Sequence, residues 1–234
     1  MLPFTREQFI GIFAHYNAAL WPVQWLAYAL GLAMITLVLL RARWAQRVVG
    51  AGLAAMWLWT GVVYHGLFFS SINPAAFAFG ALFVLQAAVF VHAAVLGGRL
   101  SFAPTNTPSA WLGWALITYA GVAYPLIGIA LGHTPAELPM FGSTPCPVTL
   151  FTLGLLLLAK PPVPRGMLVI PFVWSIVGGS AAFLLGVAQD WVLLLGALVV
   201  PLIVLRDWTL LRSGPSDSER QVGPPHVSTQ RLRR

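Results

Sequence analysis

The stretch PMFGSTPCPVTLFTLGLLLLAK, residues 139–160, decides how the chain is threaded. Its apolar part, Val148 to Ala159, is 12 residues long. At 1.5 Å per residue that covers roughly 18 Å of a hydrocarbon core about 30 Å thick. The segment is therefore either a re-entrant loop or a crossing completed by the irregular Pro139–Pro147 stretch. Prolines at 139, 145 and 147 keep that stretch from being regular helix throughout. Backbone that is not helical survives at membrane depth only where protein buries it or water reaches it.

The charges choose between the two. Longer apolar runs lie at about 20–41, 47–68, 75–96, 110–131, 167–187 and 190–206. If 147–159 crosses, twelve of the thirteen basic residues fall on one side, and only Arg6 lies opposite. If it turns back, the six basic residues from Arg206 onward change sides. Lys and Arg concentrate in cytoplasmic loops, so the crossing is preferred. The expected fold is all-α: a polytopic membrane bundle of seven transmembrane helices, N-terminus outside and C-terminus cytoplasmic. Residues 1–212 form the transmembrane domain. Residues 213–234, polar, basic and rich in Pro, Gly and Ser, form a disordered cytoplasmic tail near anionic lipid.

With 59% hydrophobic and 8% charged residues, the chain leaves no length for a soluble catalytic domain. The net charge of +7 lies in loops and tail, so it orients the chain in the lipid bilayer and does not call for nucleic acid. Its N-terminus MLPFTREQF has neither basic flank nor apolar core, so no signal peptide is expected. Thr5 and Gln8 have the form of a capping box, and Phe4 can staple against Phe9. A short helix over residues 6–15, lying in the outer interface, follows. The one cysteine, Cys146, excludes an intrachain disulfide.

Polar residues collect at the outer end of this topology. His15, His65, His133, Glu137, Cys146 and Asp190 all map there, on different helices or the loops beside them. Imidazole, thiol and carboxylate are the ligands of zinc, copper or iron. His65, His133, Asp190 and Cys146, with His15 as a further member, are the candidate metal ligands. Spacings such as HxxxH or CxxC are absent, and histidine is also common at membrane interfaces in no catalytic role. Asp190 reads equally as a helix N-cap. Thr149, Thr152, Trp57, Trp114 and Thr118 are the candidate lining of a substrate cavity beneath the Pro-Cys-Pro break. Threonines at such places more often bond back to their own helix. Gly178, Ala182 and Gly186, four apart, make a smooth face for close packing.

Tyr16-Asn17, Tyr64-His65 with Phe68-Phe69, Asn73-Pro74, Gly132-His133, and Phe141-Gly142 leading to Pro145-Cys146-Pro147 form a pattern across residues 3 to 206. It resembles a group of bacterial multi-pass membrane proteins classed as a domain of unknown function. The resemblance implies a bacterial inner-membrane location and carries no activity with it. Retinal proteins need a lysine in the last span, and the one lysine, Lys160, lies in a loop. Three function classes stay open: binding and passage of a small molecule or metal ion through an outer polar cavity; a metal-dependent hydrolase at the outer leaflet; and a non-catalytic sensor or assembly partner. Cofactors, if any, are zinc, copper or iron. Nothing in the pattern reads out an oligomeric state.

Overall fold

A computed structural model describes residues 2–102 and 105–212; the predicted tail lies outside the described residues. The chain is all-helical there. Helix α1 spans Arg6–Leu20 and α2 spans Val23–Leu39. Helix α3 runs over Ala45–Ser71, α4 over Ala76–Leu96 and α5 over Pro108–Ala130. Helix α6 is Pro145–Leu158, α7 is Gly166–Leu184 and α8 follows from Ala188. Five of these, α3, α4, α5, α7 and α8, are long and apolar enough to cross a membrane. A sixth span results if α1 and α2, bent by 87° at a short break, count together.

The start of α1 is as the sequence dictates. Gln8 N donates to Thr5 Oγ1 at 3.3 Å, and Thr5 N donates to Gln8 Oε1 at 2.8 Å. The Phe4 and Phe9 rings stack at 5.9 Å. The helix runs on beyond residue 15, because its last turns carry Tyr16 and Asn17 into buried contacts. It stops where Pro22 forces Trp21 out of helical geometry (ψ 129°).

Helix α6 is the hub. From Pro147 to Leu158 every residue is buried, and so are Phe141 to Pro145 before it, with Cys146 between them partly exposed. That segment turns at Gly142, whose φ of +71° suits a residue without Cβ. Thr144 closes the turn, its amide and hydroxyl both donating to the Met140 carbonyl, at 3.2 and 2.8 Å. Close backbone approach holds the neighbours in place. A Cβ on Gly61 would meet the Gly80 carbonyl at 2.8 Å, so α3 and α4 touch through bare backbone. Gly113 of α5 and Gly154 of α6 repeat the arrangement.

Prolines inside these helices create a second kind of joint. A proline has no N–H, so the carbonyl four residues earlier loses its partner. Pro125 frees Gly121 O, which accepts from the Tyr28 hydroxyl at 3.0 Å. Pro171 frees Met167 O, which accepts from Gln86 Nε2 at 3.1 Å. Each proline thereby ties its own helix to a side chain elsewhere in the bundle.

Candidate functional site

At the end of the bundle where α3 and α7 finish, a cavity of about 140 Å³ lies beside the Pro145-Cys146 corner. Helix α1 lies across it, contributing Phe4, Phe9 and Phe13; Tyr64, His65 and Phe69 come from the end of α3. Trp174, Gly178 and Ala181 of α7 complete the wall. The lining is mainly aromatic and aliphatic, whereas the sequence suggests a polar cavity. The outer-end polar residues that were expected to line it turn out to sit in loops, on the exposed side of α1, or behind the wall.

His65 and Cys146 are the exceptions, and His65 has the less usual setting. It belongs to a π-helical stretch, Thr60–Phe68, a geometry often found at functional positions. Its side chain is fully buried, with ring centroids of Phe83, Trp174 and Tyr64 at 4.9, 5.1 and 5.2 Å. Neither Nδ1 nor Nε2 has a hydrogen-bond partner. Trp174 Nε1 is likewise buried without an oxygen or nitrogen acceptor, beside the Cys146 sulfur. Leaving such groups unpaired costs about 1–3 kcal/mol apiece. The cavity therefore presents imidazole, indole N–H and thiol on otherwise apolar walls.

Cys146 joins this wall to a buried polar cluster. The Tyr124 hydroxyl donates to Asp190 Oδ1 at 2.5 Å, and the Cys146 thiol lies beside that carboxylate. Asp190 is 1% exposed in the turn that leads into α8. Tyr119, one helical turn before Tyr124, donates to Gln189 O at 2.9 Å and fixes the same turn.

The other expected site residues sit elsewhere. His15 is exposed on α1, its ring 5.4 Å from that of Phe68. His133 is half-buried in the loop after α5, its amide bonded to Gly128 O. Among the described residues no group of three or more His, Cys, Asp or Glu side chains is placed to hold one metal ion. Thr149 and Thr152 donate to Pro145 O and Val148 O, each at 2.8 Å, within their own helix. Thr152 also accepts from Trp57 Nε1 at 2.8 Å, and Trp114 packs against the main core. Thr118 lines a separate groove of about 490 Å³ between α2 and α5.

The residues that hold the cover in place are ones the sequence does not single out for this role. Asn17 Nδ2 donates to Ala136 O and Leu138 O, at 2.7 and 2.8 Å. Tyr16 accepts from Trp59 Nε1 at 2.7 Å while donating to Ser143. At the other end of α1, Arg6 Nε donates to Leu185 O at 2.8 Å.

The Glu137 carboxyl is held below its ordinary range by hydrogen bonds from the Thr134 backbone and side chain. Its Oε2 accepts from Thr134 N at 2.8 Å and Oγ1 at 2.9 Å, closing the loop that carries the two carbonyls gripped by Asn17.

Neither the curated proteins nor the solved structures contain a match to this chain. A model described as a family of unknown function (DUF6064) matches residues 6–213, and the chain belongs to that family.

Proposed function

We propose that this is a multi-pass protein of a bacterial inner membrane that binds a small, largely apolar molecule in the cavity beneath α1. The reading has seven crossings, with the N-terminus outside. Five come from the long helices, the sixth is α2, and the seventh is α6. The buried segment 139–144 supplies the depth that a helix of 14 residues lacks. The placement of twelve basic residues on one side supports the orientation, and the 87° bend suits α1 lying in the outer interface.

One observation carries the binding reading: a fully buried imidazole on the cavity wall with both nitrogens unpartnered. An apolar cavity of about 150 Å³ takes a molecule the size of benzene. The wall therefore suits a ring or short branched chain bearing one hydroxyl or carbonyl, which would satisfy His65 or Trp174. Metal binding has less support, because only Cys146 and Asp190 of the proposed ligands meet directly. Transport has less support as well. Trp57 and Phe83, with ring centroids 4.3 Å apart, fill the core on the inner side of His65.

The test uses 4-fluorophenol and the protein purified in detergent. Its fluorine resonance should broaden with wild-type protein and stay sharp with His65→Phe or the cavity-filling Ala181→Trp. Equal broadening by all three proteins would remove the site. For topology, Ser71→Cys should react with an impermeant maleimide in intact spheroplasts and Ser101→Cys should not; the reverse pattern would invert the orientation.

A further inference from the structure

From Phe141 to Ala159 the chain is buried at every position but one, and that one is Cys146. Its thiol faces the cavity beneath α1, which it lines together with His65 and Trp174. A Cβ on Gly178, which has none, would stand 3.4 Å from Cys146 Sγ and 2.8 Å from Trp174 Nε1. One point on the surface of α7 is thus within reach of both the thiol and the indole N–H. That N–H and both nitrogens of His65 are buried without partners, so they stay unsatisfied until a ligand enters.

Two features make the sulfur a nucleophile. Cys146 is the second residue of α6, and the positive end of a helix dipole stabilises a thiolate. Beside the sulfur lies the carboxylate of Asp190, which is 1% exposed and accepts from the Tyr124 hydroxyl. A nucleophile next to a base that a third group orients is the arrangement that activates side chains for covalent chemistry. The Trp174 N–H adds a donor, aimed where negative charge would gather on a carbonyl oxygen during addition.

We propose that Cys146 captures a small α,β-unsaturated carbonyl compound covalently, with the carbonyl oxygen held by Trp174 Nε1. The capture takes place in the cavity already described and rests on its reading as a binding site. Sulfur bonds to the β-carbon, and the electron pair of the carbon–carbon double bond moves toward the carbonyl to give an enolate. The thiol proton passes to Asp190 and ends on the α-carbon. Thiol and unsaturated carbonyl thereby become one saturated thioether, with no leaving group and no net oxidation. The space of about 140 Å³ sets the size, admitting a molecule no larger than benzene.

The measurement is the intact mass of the full chain in dodecyl maltoside during exposure to methyl vinyl ketone, with the modified residue located by peptide mapping. Wild-type protein should gain one ketone, at Cys146, and Cys146→Ser should gain none. Trp174→Phe removes the donor and keeps an aromatic ring, and it should react roughly tenfold more slowly, the effect of one hydrogen bond. Added 4-fluorophenol should also slow the reaction of wild-type protein, and that comparison decides the point if Trp174→Phe is not recovered folded. No adduct at Cys146, or a rate unchanged by 4-fluorophenol or in folded Trp174→Phe, overturns the proposal. Broadening of the 4-fluorophenol resonance without an adduct removes covalent capture and leaves the binding reading standing. Absence of both removes the cavity as a site.

Discussion

The hydroxyl of Tyr16 donates to the carbonyl of Ser143 across 127 positions of sequence, at 2.7 Å, with both residues buried. That carbonyl lies just before the Thr144 cap of α6, outside the helical ladder, and the same hydroxyl accepts from Trp59. One phenol thus serves α1, α3 and the segment that leads into α6.

Tyr16→Phe removes this junction while keeping the ring. It leaves a buried carbonyl and the indole N–H of half-buried Trp59 unpaired, so stability should fall by about 1–3 kcal/mol, most of it from the carbonyl. Unfolding in mixed micelles titrated with a denaturing detergent measures it. A variant as stable as wild type would mean that water takes both places.

Gln86 and Pro171 should behave as a coupled pair. Gln86→Leu strands the Met167 carbonyl and should cost about 1–3 kcal/mol. Pro171→Ala gives that carbonyl a helical partner, so the double variant should recover most of the loss. A double-mutant cycle with a coupling energy near zero would refute the pairing.

His65→Phe should stabilise the empty protein. It replaces two unpaired nitrogens by apolar edge among Tyr64, Phe83 and Trp174, and the adjoining cavity has room for the larger ring. A gain of about 1–2 kcal/mol is expected, with loss of 4-fluorophenol binding. His65→Ala should lose both binding and stability, by about 2–4 kcal/mol as a cavity opens. Stability and binding falling together in His65→Phe would show that the imidazole is a structural element.

Glu137 gives a pH signature. Its folded-state pKa is lowered by the Thr134 hydrogen bonds, so its contribution is complete above the unfolded value and fades as pH falls through the folded one. The Thr134 amide should lose hydrogen-exchange protection, corrected for intrinsic rate, as the solution is acidified below the ordinary carboxylate range. Glu137→Gln should flatten that dependence. Protection independent of pH in wild type would place the carboxyl outside the loop's support.

Much of the helical architecture was legible in residue order. The Thr5–Gln8 box, the Phe4–Phe9 staple and the long apolar runs are local signals, and helices stand on them, although α1 runs five residues past the expected end at 15. The Pro-Cys-Pro break was legible too, since three prolines within nine residues disrupt a helix whatever surrounds them. The site was less so. Position along the chain puts His15, His133, His65 and Asp190 at one level but says nothing of azimuth, and a helix rotated by a few tens of degrees turns a ligand into a surface residue. His15 faces out and His65 faces in, although both adjoin a tyrosine. The apolar character of the cavity was hidden for a related reason. Its walls come from Phe4, Phe9 and Phe13 of α1, and a sequence shows that such a helix is amphipathic without showing where its apolar face will rest.

The bend between α1 and α2 has a consequence in time. The first helix leaves the ribosome before any partner exists for it: Asn17 waits for Ala136 and Leu138, Tyr16 for Ser143, and Arg6 for Leu185. At 5–20 residues per second, typical of synthesis, that is a delay of roughly six to forty seconds. Until then the phenylalanines of α1 have only Tyr64 and Phe69 at the end of α3 to pack against. The cavity is thus closed late, once Leu185 has been made, by the first helix to leave the ribosome.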